Sequence, residues 1–173
     1  MEFNSCAHLK NTDAYKSAET VYNKILADGK DPFETVLNMQ VLLQKKLAEK
    51  YPERCMNPEE LKTLGNKYDW VRDNKIAFDD EFSELVSALG GMSRSDKDRS
   101  AIWKKWKSNH ADLRSELFAN MSDEDKLELA FEFADALHFF VNIMMALEIN
   151  AKDLFILYYA KNAENFRRYE NNY

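Results

Sequence analysis

Between Ala130 and Leu147 the chain reads AFEFADALHFFVNIMMAL, and this run decides the fold. Its only strongly hydrogen-bonding side chains are Glu132, Asp135, His138 and Asn142; every other position is apolar. At about 100° per residue those four fall within an arc of roughly 120°, so one narrow polar stripe runs along a helix otherwise built for burial. A solvated helix face usually carries several charges per turn. Here no lysine or arginine occurs between Lys126 and Lys152. Buried carboxylates without a counter-charge are costly, so a cation or a base from elsewhere should meet them.

Working outward, the helix-start signals are local. Asp31-Pro32-Phe33-Glu34 supplies an N-cap, a proline at the first helical position and an early glutamate; Asn57-Pro58-Glu59-Glu60 repeats the device, and Ser122 precedes three acids. Gly29 and Gly90-Gly91 read as stops. The predicted helices are 13–28, 32–50, 58–64, 75–89, 96–119, 122–148 and 151–170, with 90–98 (GGMSRSDKD) as the most loop-like segment. No alternating Val/Ile/Thr-rich run argues for a sheet. The expectation is an all-α, single-domain helical bundle over residues 1–173, without repeat or linker.

Composition narrows the function classes. With 13% aromatic residues, the 173-residue chain has enough to fill a core, which excludes a disordered tail or linker. A net charge of −6 removes the basic footprint that nucleic-acid binding needs. Cys6 and Cys55 form no CxxC, and His8, His110 and His138 have no zinc spacing. Sparse cysteine and the lack of a basic-then-apolar leader point to reducing cytosol, with no membrane role expected. The absence of GxxxxGK[ST] and GxGxxG argues against a P-loop or Rossmann site.

A second acidic pair stands in Asp79-Asp80-Glu81-Phe82-Ser83-Glu84, where Glu81 and Glu84 lie one turn apart beside an apolar face of Phe78, Phe82, Leu85 and Leu89. Glu81 and Glu84 on one helix, with Glu132 and Asp135 on another, would make a hard oxygen site suited to Mg²⁺ or Mn²⁺. The plain alternative for Glu81 and Glu84 is a solvated face. His138 and Asn142 are substrate-binding candidates, although a lone His138 is more often a hydrogen-bonded core residue than a ligand, and Asn142 more often a helix-to-helix amide. On the last helix Tyr158, Lys161, Asn165 and Arg168 share a face about 80° wide that would suit a sugar and polyphosphate, or simply face solvent. The cluster Trp103-Lys104-Lys105-Trp106-Lys107 offers an aromatic wall and phosphate-reaching lysines such as Lys104 and Lys107, or core tryptophan with surface lysine.

Together, Glu81-x-x-Glu84, WKKWK, Glu132-x-x-Asp135 and KNxxNxxR resemble the all-α nucleoside triphosphate pyrophosphatase superfamily, which includes dimeric dUTPases and MazG-like enzymes. The segments DPFETVLNMQVLLQKKLA, DDEFSELVSALGGMSR, FADALHFFVN and LYYAKNAENFRRYENNY are similar to its T-even bacteriophage branch acting on dCTP and dUTP. The resemblance implies hydrolysis of dCTP, with dUTP as a second substrate, to the monophosphate and pyrophosphate, clearing dCTP from the phage nucleotide pool. It implies Mg²⁺, or Mn²⁺, on Glu81, Glu84, Glu132 and Asp135, with Glu84, beside Glu81, as the catalytic carboxylate that orients or deprotonates water. It implies substrate contacts from Lys161, Asn162, Asn165 and Arg168, and base contact from Gln44; Ala48 stands where dimeric dUTPases commonly carry asparagine, which departs from strict uracil recognition. Phe139 and Trp103 would wall the base and Asn142 meet its edge. A homodimer, association with phage nucleotide-synthesis enzymes and the cytoplasm of an infected host cell also follow from the resemblance. The competing readings are a dUTP-preferring enzyme, a redox metal bundle suggested by Asp135-x-x-His138, and a noncatalytic acidic bundle that binds a partner.

Overall fold

In the computed structural model, residues 6–90, 104–107 and 111–170 are described. Among these residues six α-helices follow one another: α1 (Asp13–Ala27), α2 (Pro32–Lys50), α3 (Leu64–Ala88), the short α4 (Ala111–Ser115), α5 (Asp123–Ala146) and α6 (Ala151–Glu170). Among the described residues there is no strand, and the fold is all-α. The chain divides into two compact units, one from Met1–Thr20 and Arg72–Phe140, the other from Val21–Val71 and Val141–Tyr173. Each unit therefore draws on both α3 and α5.

The caps show why the helices begin and end where they do. The Asp31 carboxylate accepts from the amides of Phe33 at 2.7 Å and Glu34 at 3.2 Å, with Pro32 opening α2. Ser122 Oγ accepts from the Asp125 amide at 3.1 Å and donates to its carboxylate at 2.7 Å. Gly29 ends α1 with φ +69°, its amide and that of Lys30 donating back to Leu26 and Ile25. Glu148 takes the same left-handed place after α5, at φ 58°, with Glu148 and Ile149 amides donating to Met145 and Met144. A side chain there costs about 1 kcal/mol relative to glycine, and the Glu148 carboxylate meets the Lys67 ammonium at 2.5 Å.

Three helix predictions are corrected. α3 begins at Leu64, eleven residues before the expected 75, and Pro58–Glu60 forms only a 3₁₀ turn in place of the helix over 58–64. Thr63 is the reason: its hydroxyl accepts from the Asn66 amide at 3.1 Å and starts the long helix. Of the helix expected at 96–119, the described part is a turn at 104–107, α4, and a 3₁₀ turn at Phe118–Asn120. Gly91 and most of the loop over 90–98 lie outside the described residues.

In the second unit Leu61, Trp70 and Ala146 form a buried cluster, with Met56, Val71 and Met145 packed on it. The Trp70 indole Nε1 donates to the Asn142 carbonyl at 2.8 Å, and Gln40 Nε2 donates to Asn142 Oδ1 at 2.9 Å, both buried. Trp70 with Asn142, and Lys67 with Glu148, set α3 antiparallel to α5 in this unit. In the first unit the Phe78 ring meets those of Phe82 at 5.7 Å and Phe140 at 6.5 Å, while Tyr15 meets Phe131 at 6.2 Å. α5 is long and apolar enough to cross a membrane by length and composition. Its buried Asp125, Glu128, Glu132 and Asn142 would be expensive in lipid and mark it as a core helix.

Candidate metal and catalytic site

Two members of the polar stripe of α5, Glu132 and Asp135, face α3 in the first unit. One carboxylate oxygen from each of Glu81, Glu132 and Asp135 lies within 4.8 Å of the others, although these residues come from two helices and a sequence separation of some fifty positions. Contacts Glu81 to Asp135 and Phe78 to Phe140 fix the register: moving toward the C-terminus of α3 moves toward the N-terminus of α5. The antiparallel seam brings Glu81 of one local pair and both members of the other into one cluster.

Electrostatics shows what the arrangement costs. Burial is the leading cause that pushes Glu132 up to about 7, followed by the charges of Glu84, Glu128, Asp135 and Glu81. Glu81 is raised by burial, then by Asp135, Glu84 and Asp80. Asp135 is raised by burial too, with His138 working the other way and Glu128 adding to the rise. Carboxylates brought this close cannot all ionise cheaply, and a cation is the natural relief. Three hard oxygens within 4.8 Å of one another could hold a divalent cation.

Glu84 lies outside the triad of mutually close oxygens, yet near enough for its charge to raise both Glu81 and Glu132. His138 is exposed and adjoins Asp135 through its charge. Sequence reasoning missed Glu128 and Asp125, both buried. The signal was present: continuing the helical wheel backward puts both on the same stripe as Glu132 and Asp135, within an arc of roughly 140°.

The remaining expected residues fall elsewhere. Trp103 lies outside the described residues; Lys104 is half-buried and Lys107 exposed, in the turn where the Lys107 amide donates to the Lys104 carbonyl at 3.1 Å. Gln44 is half-buried on α2, in the second unit, whereas the buried glutamine of that helix is Gln40, bonded to Asn142. Tyr158, Lys161, Asn162, Asn165 and Arg168 are exposed on α6, also in the second unit. Arg168 shares the Glu164 carboxylate with Arg167, at 3.0 and 2.7 Å, and hydrogen bonds from the two guanidiniums hold that carboxylate down at about 2.

Comparison with known proteins decides the family. The chain is 44% identical over 171 residues to a dCTP pyrophosphatase of Enterobacteria phage T4, covering 99% of this chain and 98% of that one. The chain belongs to the phage dCTP pyrophosphatase family. A dCTP pyrophosphatase of Enterobacteria phage LZ5 is 40% identical over the same lengths, 99% and 98%. A DNA replication protein of phage T4 is 44% identical over 160 residues, which are 92% of this chain but 40% of that longer one. No protein-family model and no solved structure matches the chain. Membership in the dCTP pyrophosphatase family agrees with the resemblance drawn from ExxE, ExxD and KNxxNxxR.

Proposed function

We propose that this chain hydrolyses dCTP to dCMP and pyrophosphate with Mg²⁺, for which Mn²⁺ substitutes, and that dUTP is a second substrate. The observation that carries the reading is the meeting of Glu81, Glu132 and Asp135 oxygens within 4.8 Å across two helices, in a chain 44% identical to a dCTP pyrophosphatase. Glu81, Glu132 and Asp135 would hold the cation, with Glu84 beside them. When bound, the cation neutralises the triphosphate and the charge that develops on the leaving group.

The chain's own residues supply the rest. Glu84, one turn from Glu81, orients the attacking water and takes its proton. The water oxygen forms the new bond to phosphorus, the α–β anhydride bond breaks, and its electron pair leaves with the departing phosphate oxygen. The released proton passes from Glu84 to solvent. The charge of the buried Glu128 opposes ionisation of Glu132 and Asp135 until positive charge arrives. The face of α6 carrying Lys161, Asn165 and Arg168 grips the phosphates and sugar, a role supported by the KNxxNxxR resemblance. The protein acts as a homodimer in the cytoplasm of an infected host cell.

The test is to incubate purified protein and Mg²⁺ with each deoxynucleoside triphosphate separately and identify the products. Pyrophosphate from dCTP and dUTP, and none from dATP or dGTP, is expected. Orthophosphate as the first product, or turnover retained in Glu132→Gln, overturns the reading.

A further inference from the structure

The last helix presents an apolar seam that the site does not use. Phe155, Tyr159, Phe166 and Tyr169 are 69%, 68%, 63% and 82% exposed, and the first two rings stack at 6.2 Å. With Asn162 between them, the positions 155, 159, 162, 166 and 169 step by four, three, four and three residues, the spacing of a two-stranded helical seam. They occupy an arc of roughly 80°, adjacent to the face of Lys161, Asn165 and Arg168. An exposed aromatic row of this regularity is uncommon on a solvated helix.

We propose that this seam pairs with the same seam of a second copy, the two α6 helices running antiparallel about a two-fold axis at Asn162. The inference rests on the homodimer reading and goes beyond it by naming the surface and the register. The pattern is self-complementary. Phe155 and Tyr169 lie seven residues either side of Asn162, and Tyr159 and Phe166 three and four, so antiparallel pairing sets aromatic layers against aromatic layers throughout. Charge selects the direction. Lys152 and Glu170, both exposed, lie on the same edge of the seam at its opposite ends. Antiparallel pairing brings each lysine near the other copy's glutamate, whereas parallel pairing leaves the two at opposite ends of the seam and unpaired.

Area is sufficient. At the 150–250 Å² that an aromatic side chain can bury, four rings exposed to this degree offer roughly 400–700 Å² per copy. With both copies counted, that reaches the lower range of specific interfaces before any flanking residue is added. A polar residue at the middle of such a seam fixes register. Asn162 holds that place on the axis, which replaces the substrate contact that the family resemblance implies for it, and no variant below touches it.

The experiment starts with Cys6 and Cys55 replaced by serine, and prepares Phe155→Cys and Tyr169→Cys proteins separately. Mixed, subunit-exchanged and oxidised, they should give a disulfide-linked dimer, while each alone gives little. Separately, Phe166→Glu should raise the dimer dissociation constant about 100-fold or more by analytical ultracentrifugation, with helicity by circular dichroism unchanged. A wild-type monomer overturns both the homodimer reading and the seam. A wild-type dimer that Phe166→Glu leaves intact, or that crosslinks through each cysteine variant alone, overturns the seam as described and leaves the homodimer standing.

Discussion

Replacing Glu132 by glutamine should make the metal-free protein more stable at pH 8, not less, while abolishing turnover. Glu132 is held near 7 against an ordinary 4.5. The folded protein thus binds that proton more tightly than the unfolded chain does. The resulting stability is present in full below the ordinary carboxylate range and is lost as pH rises through about 7. At about 1.4 kcal/mol per pH unit the loss comes to about 3 kcal/mol; solvent reaching the half-buried Glu81 and Asp135 reduces it to roughly 2–3. Glutamine resembles the protonated side chain in both states, so the variant escapes the loss. Its advantage should be roughly 2–3 kcal/mol at pH 8, or a rise in Tm of roughly 4–12 °C for a chain of this size, and should shrink to about 1 kcal/mol or less at pH 5. Thermal melts at both pH values in a chelating buffer, repeated with millimolar Mg²⁺, are the assay. Mg²⁺ should raise the Tm of the wild type far more than that of the variant. A variant destabilised at pH 8 without metal, or one that Mg²⁺ stabilises as much as the wild type, refutes the reasoning.

Asp31→Ala removes the carboxylate that accepts from Phe33 and Glu34, and should cost about 1 kcal/mol by urea denaturation. Gln40→Leu takes away the buried donor to Asn142 Oδ1 and should cost about 1–3 kcal/mol, part of which returns in the double variant Gln40→Leu/Asn142→Leu. Glu148→Gly relieves a left-handed side chain worth about 1 kcal/mol but gives up an exposed pair with Lys67 worth about as much or less. The net change in the denaturation midpoint should therefore be small and lean toward stabilisation, and a loss above about 1 kcal/mol would mean that the pair carries more than its exposure allows.

Caps were legible in the sequence because they act over three or four residues: Asp31-Pro32 and Ser122 through Asp125 announce α2 and α5 without any tertiary information. The beginning of α3 was not. From Asn66 to Lys75 the helix is mostly polar, and Trp70, its buried anchor, earns its place only by meeting Asn142 and Ala146 from the far end of the chain. Thr63 was a readable cap, obscured by Gly65 two positions later. The acidic pairs on α3 and α5 could each be found by spacing alone, but their convergence could not, since it depends on the antiparallel register that Phe78 and Phe140 set. Glu128 escaped because the stripe was read from Ala130 onward, where the charged first turn gives way to the apolar run. Gln40 and Gln44 lie one turn apart on α2, and only burial separates the structural amide from its neighbour.

The beginning of α6 is tied to the beginning of α2, for the Ala151 amide donates to the Glu34 carboxylate at 3.1 Å across 117 residues of chain. During synthesis everything from residue 34 to residue 151 must leave the ribosome before that amide can find its acceptor. Closure of so long a loop is slow relative to local helix growth. The second unit should therefore complete itself late, and nascent chains arrested before residue 151 would leave Glu34 waiting at the end of a helix that has already formed.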